Sequence, residues 1–410
     1  MFKGGSMLRK LLVMAVVAFM AIGFSLDAQA EGTVKIGAIY LLSGAFSTYG
    51  QFAKNGIELA ADEINSSGGI LGKKIEFVLE DSTGKANVGI QAARKLVYQE
   101  NVDLLMGLDS SGVAKGLVPV VPELKKPFII THAASPDVTG SLCNKYVFRI
   151  SLNIAQNTKA AALIAKELGV KKWTTIGPDY DFGHQSWEFF GNYLKELDPE
   201  VVLSADPSFP KFKAEDFTPF INKVISDKPE GVFISLWGGD LINFIRQANN
   251  LGFFKQNFKV LMSLGAATEV LTALGDQMPE GIWVGTRYWF AANDTPTNNN
   301  FVAAYKKRFG DYPSYNSQGA YAAVYAYKTA IEKAKSFEPD KIIAALENLT
   351  VDTPSGELLI RAEDHQAVVN GNWGITKADK NYPIRILDPI RIFPGKDITP
   401  TPQESGCNMQ

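Results

Sequence analysis

Apolar positions along the chain alternate between two regimes. VKIGAIYLL, Val34 to Leu42, is a short unbroken apolar run flanked by turn residues, the pattern of a buried strand. The chain breaks at Ser43-Gly44 and resumes with a helical period. Phe52, Ile57, Leu59, Ala60 and Ile64 line one face, while Lys54, Glu58 and Asp62 stay wet. The same unit recurs. KKIEFVLED ends in Glu80-Asp81 and predicts a strand before a helix from about Asn87 to Glu100. VDLLMG ends in Asp109-Ser110-Ser111-Gly112 and precedes a helix running to Lys126; PFIIT leads into His132-Ala133-Ala134-Ser135-Pro136. Strands alternating with helices in this way predict right-handed crossovers and a parallel sheet. All these loops then lie at one sheet edge, where backbone N–H groups and helix N-termini hold small ligands.

At YVFRIS, Tyr146 to Ser151, the alternation restarts with a helix after Asn153. WTTIG, VVLSA, GVFISL and KVLMS read as strands, separated by helices near Gly183–Leu197, Glu215–Asp227 and Leu241–Leu251. That is a second α/β lobe. The last stretch, Pro394 to Gln410, is rich in Pro, Thr and Gly and predicts an irregular surface tail.

Composition adds compartment and size. Lys3, Arg9 and Lys10 precede the apolar run LLVMAVVAFMAIGFSL, and Ala28-Gln29-Ala30 precedes Glu31, the pattern of a secretory signal peptide over residues 1–30. The run is shorter than the ~20 apolar residues of a membrane span. Met7 is an alternative start, and Glu31 in place of a cysteine leaves no lipid-anchor signal. Without Lys3, Arg9, Lys10 and Asp27 the chain keeps 38 basic and 42 acidic residues, with no basic stripe for nucleic acid. A chain this long exceeds one core, so two domains are expected. The two cysteines, Cys143 and Cys407, either pair in an oxidising compartment or remain free thiols. With His132, His184 and His365 scattered, no metal pattern appears, and no cofactor is implied.

VKIGAIYLLSG, then Tyr49-Gly50, then GIELAADEINSSGGILGKKIEFVLED resembles the opening of the periplasmic binding proteins of branched-chain amino-acid ABC transporters, the leucine/isoleucine/valine-binding-protein family. The resemblance runs through the whole mature chain. It implies two Rossmann-like lobes, each a parallel sheet flanked by helices, joined by a three-crossing hinge. The first lobe would span residues 31–151 plus 286–353 and the second 152–285 plus 354–393, with 394–410 as the tail. GIWVGTR, Gly281 to Arg287, would carry the chain back to the first lobe, where Asn299–Phe309 and the helix Gln318–Lys335 would pack. The chain would return near Thr353-Pro354-Ser355-Gly356 for the strands GELLIR and PIRILDPIRIF. A soluble periplasmic protein is implied, which closes on a branched-chain or other hydrophobic amino acid, or a related carboxylate, and delivers it to a membrane permease; sensing for a membrane receptor is the alternative. Neither a coiled-coil repeat nor an exposed apolar helix suggests a dimer, so a monomer is expected.

The resemblance also implies a site. Ser110 and Ser111, the Ala133 backbone and the Ser135 hydroxyl match the grip on a ligand carboxylate, and Tyr49 matches an aromatic wall. Neutral donors can hold a carboxylate in a dry cleft. From the second lobe Phe182, with Tyr180 two residues earlier, and Trp237 match further aromatic positions. The acids that clamp an α-ammonium in the family are replaced by Asn153 and Gly265. Burying an unanswered ammonium costs several kcal/mol. Either Asp109, Asp179, Asp181 or Asp240 substitutes, or the ligand is an aliphatic or aromatic carboxylate, a keto acid or an amide. Arg287, at the return crossing, would then meet an acid or serve as a hinge ion pair. No G-x-S-x-G, H-E-x-x-H or Walker lysine loop supports an enzyme, and His132 has no nucleophile beside it.

Overall fold

The computed structural model describes residues 32–409; the signal-peptide expectation lies outside them. Five strands form the first sheet: β1 (Thr33–Tyr40), β2 (Lys74–Asp81), β3 (Leu104–Gly107), β4 (Phe128–Ile130) and β5 (Val147–Arg149). They run parallel in the order β2-β1-β3-β4-β5. β3 and β4 are buried along their whole length, as expected for a parallel sheet covered on both faces.

The second sheet takes β6 (Lys172–Ile176), β7 (Val202–Leu203), β8 (Gly231–Ile234), β9 (Lys259–Met262) and β10 (Trp283–Thr286) as a parallel set. The chain then forms β11 (Leu349–Thr353), β12 (Gly356–Ile360), β13 (Ala367–Val368), β14 (Gly371–Lys377) and β15 (Ile386–Phe393). β14 and β15 extend the second sheet to seven strands, ordered β15-β14-β10-β9-β8-β6-β7, and both added pairings are antiparallel. The second sheet is therefore mixed at one edge.

Several local expectations are corrected. The helix expected to run unbroken to Lys126 is split into Ser111–Leu117, a 3-10 turn Val118–Val120 and Val121–Leu124, because Pro119 and Pro122 supply no N–H to an α-ladder. VVLSA contributes only the two residues of β7. GELLIR does not join the second sheet: β12 pairs antiparallel with β11 and β13 in a separate three-stranded sheet, in which β11 alternates buried and exposed positions. The 394–410 tail is not wholly irregular, since Gly395–Ile398 and Pro402–Ser405 are short helical turns and Ile398 is buried.

Two connecting segments run side by side between the sheets. The backbone N–H of Arg149 at the end of β5 donates to His365 O at 2.9 Å, and the Arg149 side chain is fully buried. Its Nε donates to Gln366 Oε1 at 2.7 Å, one Nη to Ser135 O at 2.5 Å and the other to Thr139 Oγ1 at 2.6 Å. The tail covers this junction. Arg361 donates to Pro400 O at 2.7 Å, Gln156 Nε2 to Thr399 Oγ1 at 2.8 Å, and Cys143 is disulfide-bonded to Cys407 across 264 residues of sequence.

The helices Ser47–Ser66 and Tyr315–Ala334 touch at Gly56, where an added Cβ would sit 2.1 Å from the carbonyl oxygen of Ser317. Rigid backbone cannot yield to that contact. Gly56→Ala is expected to destabilise the fold by about 1–3 kcal/mol through overpacking, read as a lower urea midpoint; an unchanged midpoint would show that the two helices separate freely.

Candidate functional site

The carboxyl ends of the parallel strands of both sheets converge on one cleft. After β3 come Asp109 and Ser111, after β4 His132 and Ala134, after β8 Trp237, after β9 Leu264, and after β10 Arg287. Tyr49 from the helix Ser47–Ser66 and Tyr315 and Asn316 from the helix Tyr315–Ala334 complete the first-sheet side; Tyr180 and Phe182 complete the second. As the halves stand in this structure, the free space among these residues is about 10 Å³, room for one water-sized group.

Its walls are aromatic and already locked in place. Tyr49 Oη accepts the Gly238 N–H at 3.0 Å, and its ring meets Trp237 edge-on with centroids 5.3 Å apart. Trp237 Nε1 donates to Tyr180 Oη at 2.9 Å, and Phe46 packs 4.5 Å from the Trp237 ring. Gly238 needs its positive φ of 55° here, and a Cβ would strike Phe46 at 2.5 Å. Burial raises the Tyr49, Tyr180 and Tyr315 phenols far above their ordinary range, so these groups stay neutral.

The proposed carboxylate grip is arranged differently from the residue-by-residue expectation. Ser111 faces the cleft and accepts the Ala134 and Ser135 N–H groups at 3.3 and 3.1 Å, tying the two loops together. Ser110 is buried at a helix N-cap and does not line the space. Ala133 points its N–H at Leu108 O, 2.8 Å away, so Ala134 stands on the wall instead. Ser135 donates to Gln185 Oε1 at 2.9 Å across to the second-sheet side. Asn153 caps its helix in a reciprocal box with Gln156, at 2.8 and 2.9 Å. Gly265 packs against Val284, where a Cβ would lie at 2.7 Å, and Leu264 takes the cleft position.

Charge is sparse and asymmetric. Arg287 is 9% exposed, donates to the His132 carbonyl, and holds its guanidinium 5.1 Å over the Tyr315 ring. Among the described residues no carboxylate lies within 4 Å of it, and burial pulls its pKa below the ordinary arginine value. Asp109 accepts the Leu41 N–H at 2.7 Å and sits 3.4 Å from His132 Nδ1. His132 is fully engaged, with Nε2 donating to Asn316 O at 2.9 Å and Nδ1 at 2.9 Å from Thr131 Oγ1. Of the other aspartates, Asp179 pairs with His184, Asp181 with Lys115, and Asp240 accepts the Lys213 N–H, its carboxyl pushed up to about 6 by burial.

The residues that sequence reasoning missed are Tyr315, Asn316, Leu264 and Glu269. The helix begins at Tyr315, three residues before the expected Gln318, and Ser314 is its N-cap. Glu269, buried at the start of the helix Thr268–Leu274, accepts from Asn316 Nδ2.

A family model described as "Periplasmic binding protein" matches residues 33–382. The chain belongs to the periplasmic binding protein family. The family model is one of binding proteins. The chain is 28% identical, over 87% of its length and 88% of the relative's, to "Leu/Ile/Val-binding protein homolog 4" of Brucella melitensis. A leucine-binding protein from Thermotoga maritima superposes with a TM-score of 0.78 at 25% identity, covering 89% of this chain and 100% of that one. A solute-binding protein from Rhodopseudomonas palustris BisB5 in complex with 3,4-dihydroxybenzoic acid superposes at 0.79 with 25% identity, covering 88% and 98%.

Burial lifts Glu269 from an ordinary 4.5 to about 7. The folded state then keeps a proton that the unfolded chain releases, so this group's stabilisation is full below about pH 4.5 and lost as pH rises through 7. Glu269→Gln is expected to remove that loss, on the order of 3 kcal/mol. Urea titrations of both proteins from pH 4.5 to 7.5 read the difference; parallel profiles would contradict it.

Proposed function

We propose that this chain is the soluble solute-binding component of an ABC importer, exported after cleavage of residues 1–30 and acting as a periplasmic monomer. It closes its two sheets on a small hydrophobic carboxylate and presents the closed form to a permease. The observation that carries the ligand class is Arg287: a buried guanidinium on the cleft wall with no carboxylate within 4 Å among the described residues. Such a charge is costly unless an anion meets it, and a ligand carboxylate supplies the anion. Tyr49, Tyr180, Phe182, Trp237 and Tyr315 then surround the apolar body of the ligand. The dihydroxybenzoate-bound neighbour supports an aromatic carboxylate.

A hydrophobic amino acid is the second reading. Asp109 on the wall and Glu269 behind Asn316 are acids that an ammonium could use, and the leucine-binding neighbour and Leu/Ile/Val-binding homologue support it.

Thermal-shift titration of the wild type and Arg287→Gln with 3,4-dihydroxybenzoate, benzoate and leucine tests the reading. A carboxylate at 100 times its dissociation constant should stabilise the wild type by about 2.7 kcal/mol. The variant is expected to fold at least as well without ligand and to lose at least 100-fold in affinity. Undiminished binding by the variant would remove Arg287 from the site, and a response to leucine alone would favour the amino-acid reading.

A further inference from the structure

Beside the aromatic cleft lies a second, small chamber of about 10 Å³, room for one water-sized group, which shares Ala134, Phe182 and Arg287 with it. Its character is different. Asn153, Asn157, Thr158, Ser186 and Ser263 give it neutral polar walls, and Arg287 is the only charged residue bounding it. Most of these side chains are occupied by the protein itself. Ser186 donates to Phe182 O at 2.5 Å, Thr158 to Ile154 O at 2.8 Å, and Asn157 is used by both Ser263 O and Trp373 Nε1.

Two groups are not. Ser263 is 2% exposed, and its hydroxyl has no hydrogen-bond partner among the described residues. Asn153 accepts the Gln156 backbone N–H, which fixes that atom as its oxygen; its amide nitrogen makes no hydrogen bond to the described residues. The residues that carry an unused amide N–H₂, an unused hydroxyl and a guanidinium therefore line one small space. All three can donate, and no acid stands among them.

We propose that this chamber is a second subsite of the ligand cleft, which takes an oxygen acceptor carried beside the carboxylate and so selects 2-oxo carboxylates over 2-amino acids. The proposal rests on the assignment of Arg287 to the ligand carboxylate. A ketone oxygen next to that carboxylate would accept from Asn153 and Ser263. An ammonium in the same place would meet donors and a like charge, and its own protons would find no acid in the chamber. Discrimination then comes as much from this repulsion as from the new bonds. The hydrophobic end of the ligand would remain among the rings of the first cleft.

Calorimetric titration of the full protein with phenylpyruvate, 3-phenylpropionate and phenylalanine, which share one carbon skeleton, tests this directly. Phenylpyruvate is expected to bind at least tenfold more tightly than 3-phenylpropionate, and phenylalanine weakest of the three. Asn153→Asp keeps the capping oxygen, so the helix start is preserved, but it places an anion in the chamber; it is expected to abolish the phenylpyruvate advantage and raise the relative affinity for phenylalanine. Ser263→Ala should reduce the advantage severalfold. Equal binding of phenylpyruvate and 3-phenylpropionate, both lost in Arg287→Gln, would overturn the chamber while leaving the Arg287 assignment standing. No binding of any of the three would overturn the chamber; phenylalanine as the tightest ligand, or carboxylate binding indifferent to Arg287→Gln, would overturn both.

Discussion

Burying a guanidinium costs several kcal/mol unless its donors are met, and among the described residues this happens twice, with opposite outcomes. Arg149 is enclosed by acceptors: Gln366, Thr139 and the carbonyls of Ala133 and Ser135. Its charge is spread over a fixed cage at the junction of two connecting segments, where it welds loop to loop. Arg287 has one carbonyl, that of His132, and the face of Tyr315. What remains of its hydrogen-bonding capacity points into the cleft. The first arginine belongs to the scaffold, whereas the second is the one we propose for the ligand, and the difference is made by the number of protein acceptors around each.

The rest of the cleft follows from that constraint. A guanidinium without a paired carboxylate stays available only if its surroundings are stiff, because a mobile acid could otherwise swing in and pair with it. Stiffness comes from contacts that join the two sides of the cleft: Ser135 to Gln185, Lys115 to Asp181, and the Tyr49 hydroxyl to the Gly238 N–H. The aromatic rings add apolar area on both sides, with Phe46 against Trp237 and Phe212.

Much of the scaffold was legible in the sequence because parallel strands are short apolar runs followed by helices of matching period. β1 to β6, β8 and β9 follow that rule, and Tyr49, Ser111, Tyr180, Phe182 and Trp237 stand on the cleft because they sit at strand ends or helix starts. What could not be read depended on contacts distant in sequence. β14 hides its pairing behind Gly371 and Gly374, and β12 is an amphipathic strand whose partners are chosen by the hairpin with β11. Which residue of each loop lines the cleft is decided by packing, so that Ala134 and Leu264 stand there rather than their neighbours Ala133 and Gly265. Arg287 was visible as a residue, but its lack of an acidic partner is a fact of tertiary structure alone.

The central claim, that the cleft is built for an anion met by Arg287, is tested most directly on the native protein with a ligand pair differing only in charge. Calorimetry with an aromatic carboxylate and its primary carboxamide at pH 7 serves this. The account predicts that the carboxylate binds at least 100-fold more tightly, a difference of about 2.7 kcal/mol. Equal affinities would show that Arg287 answers no ligand charge and would contradict the account.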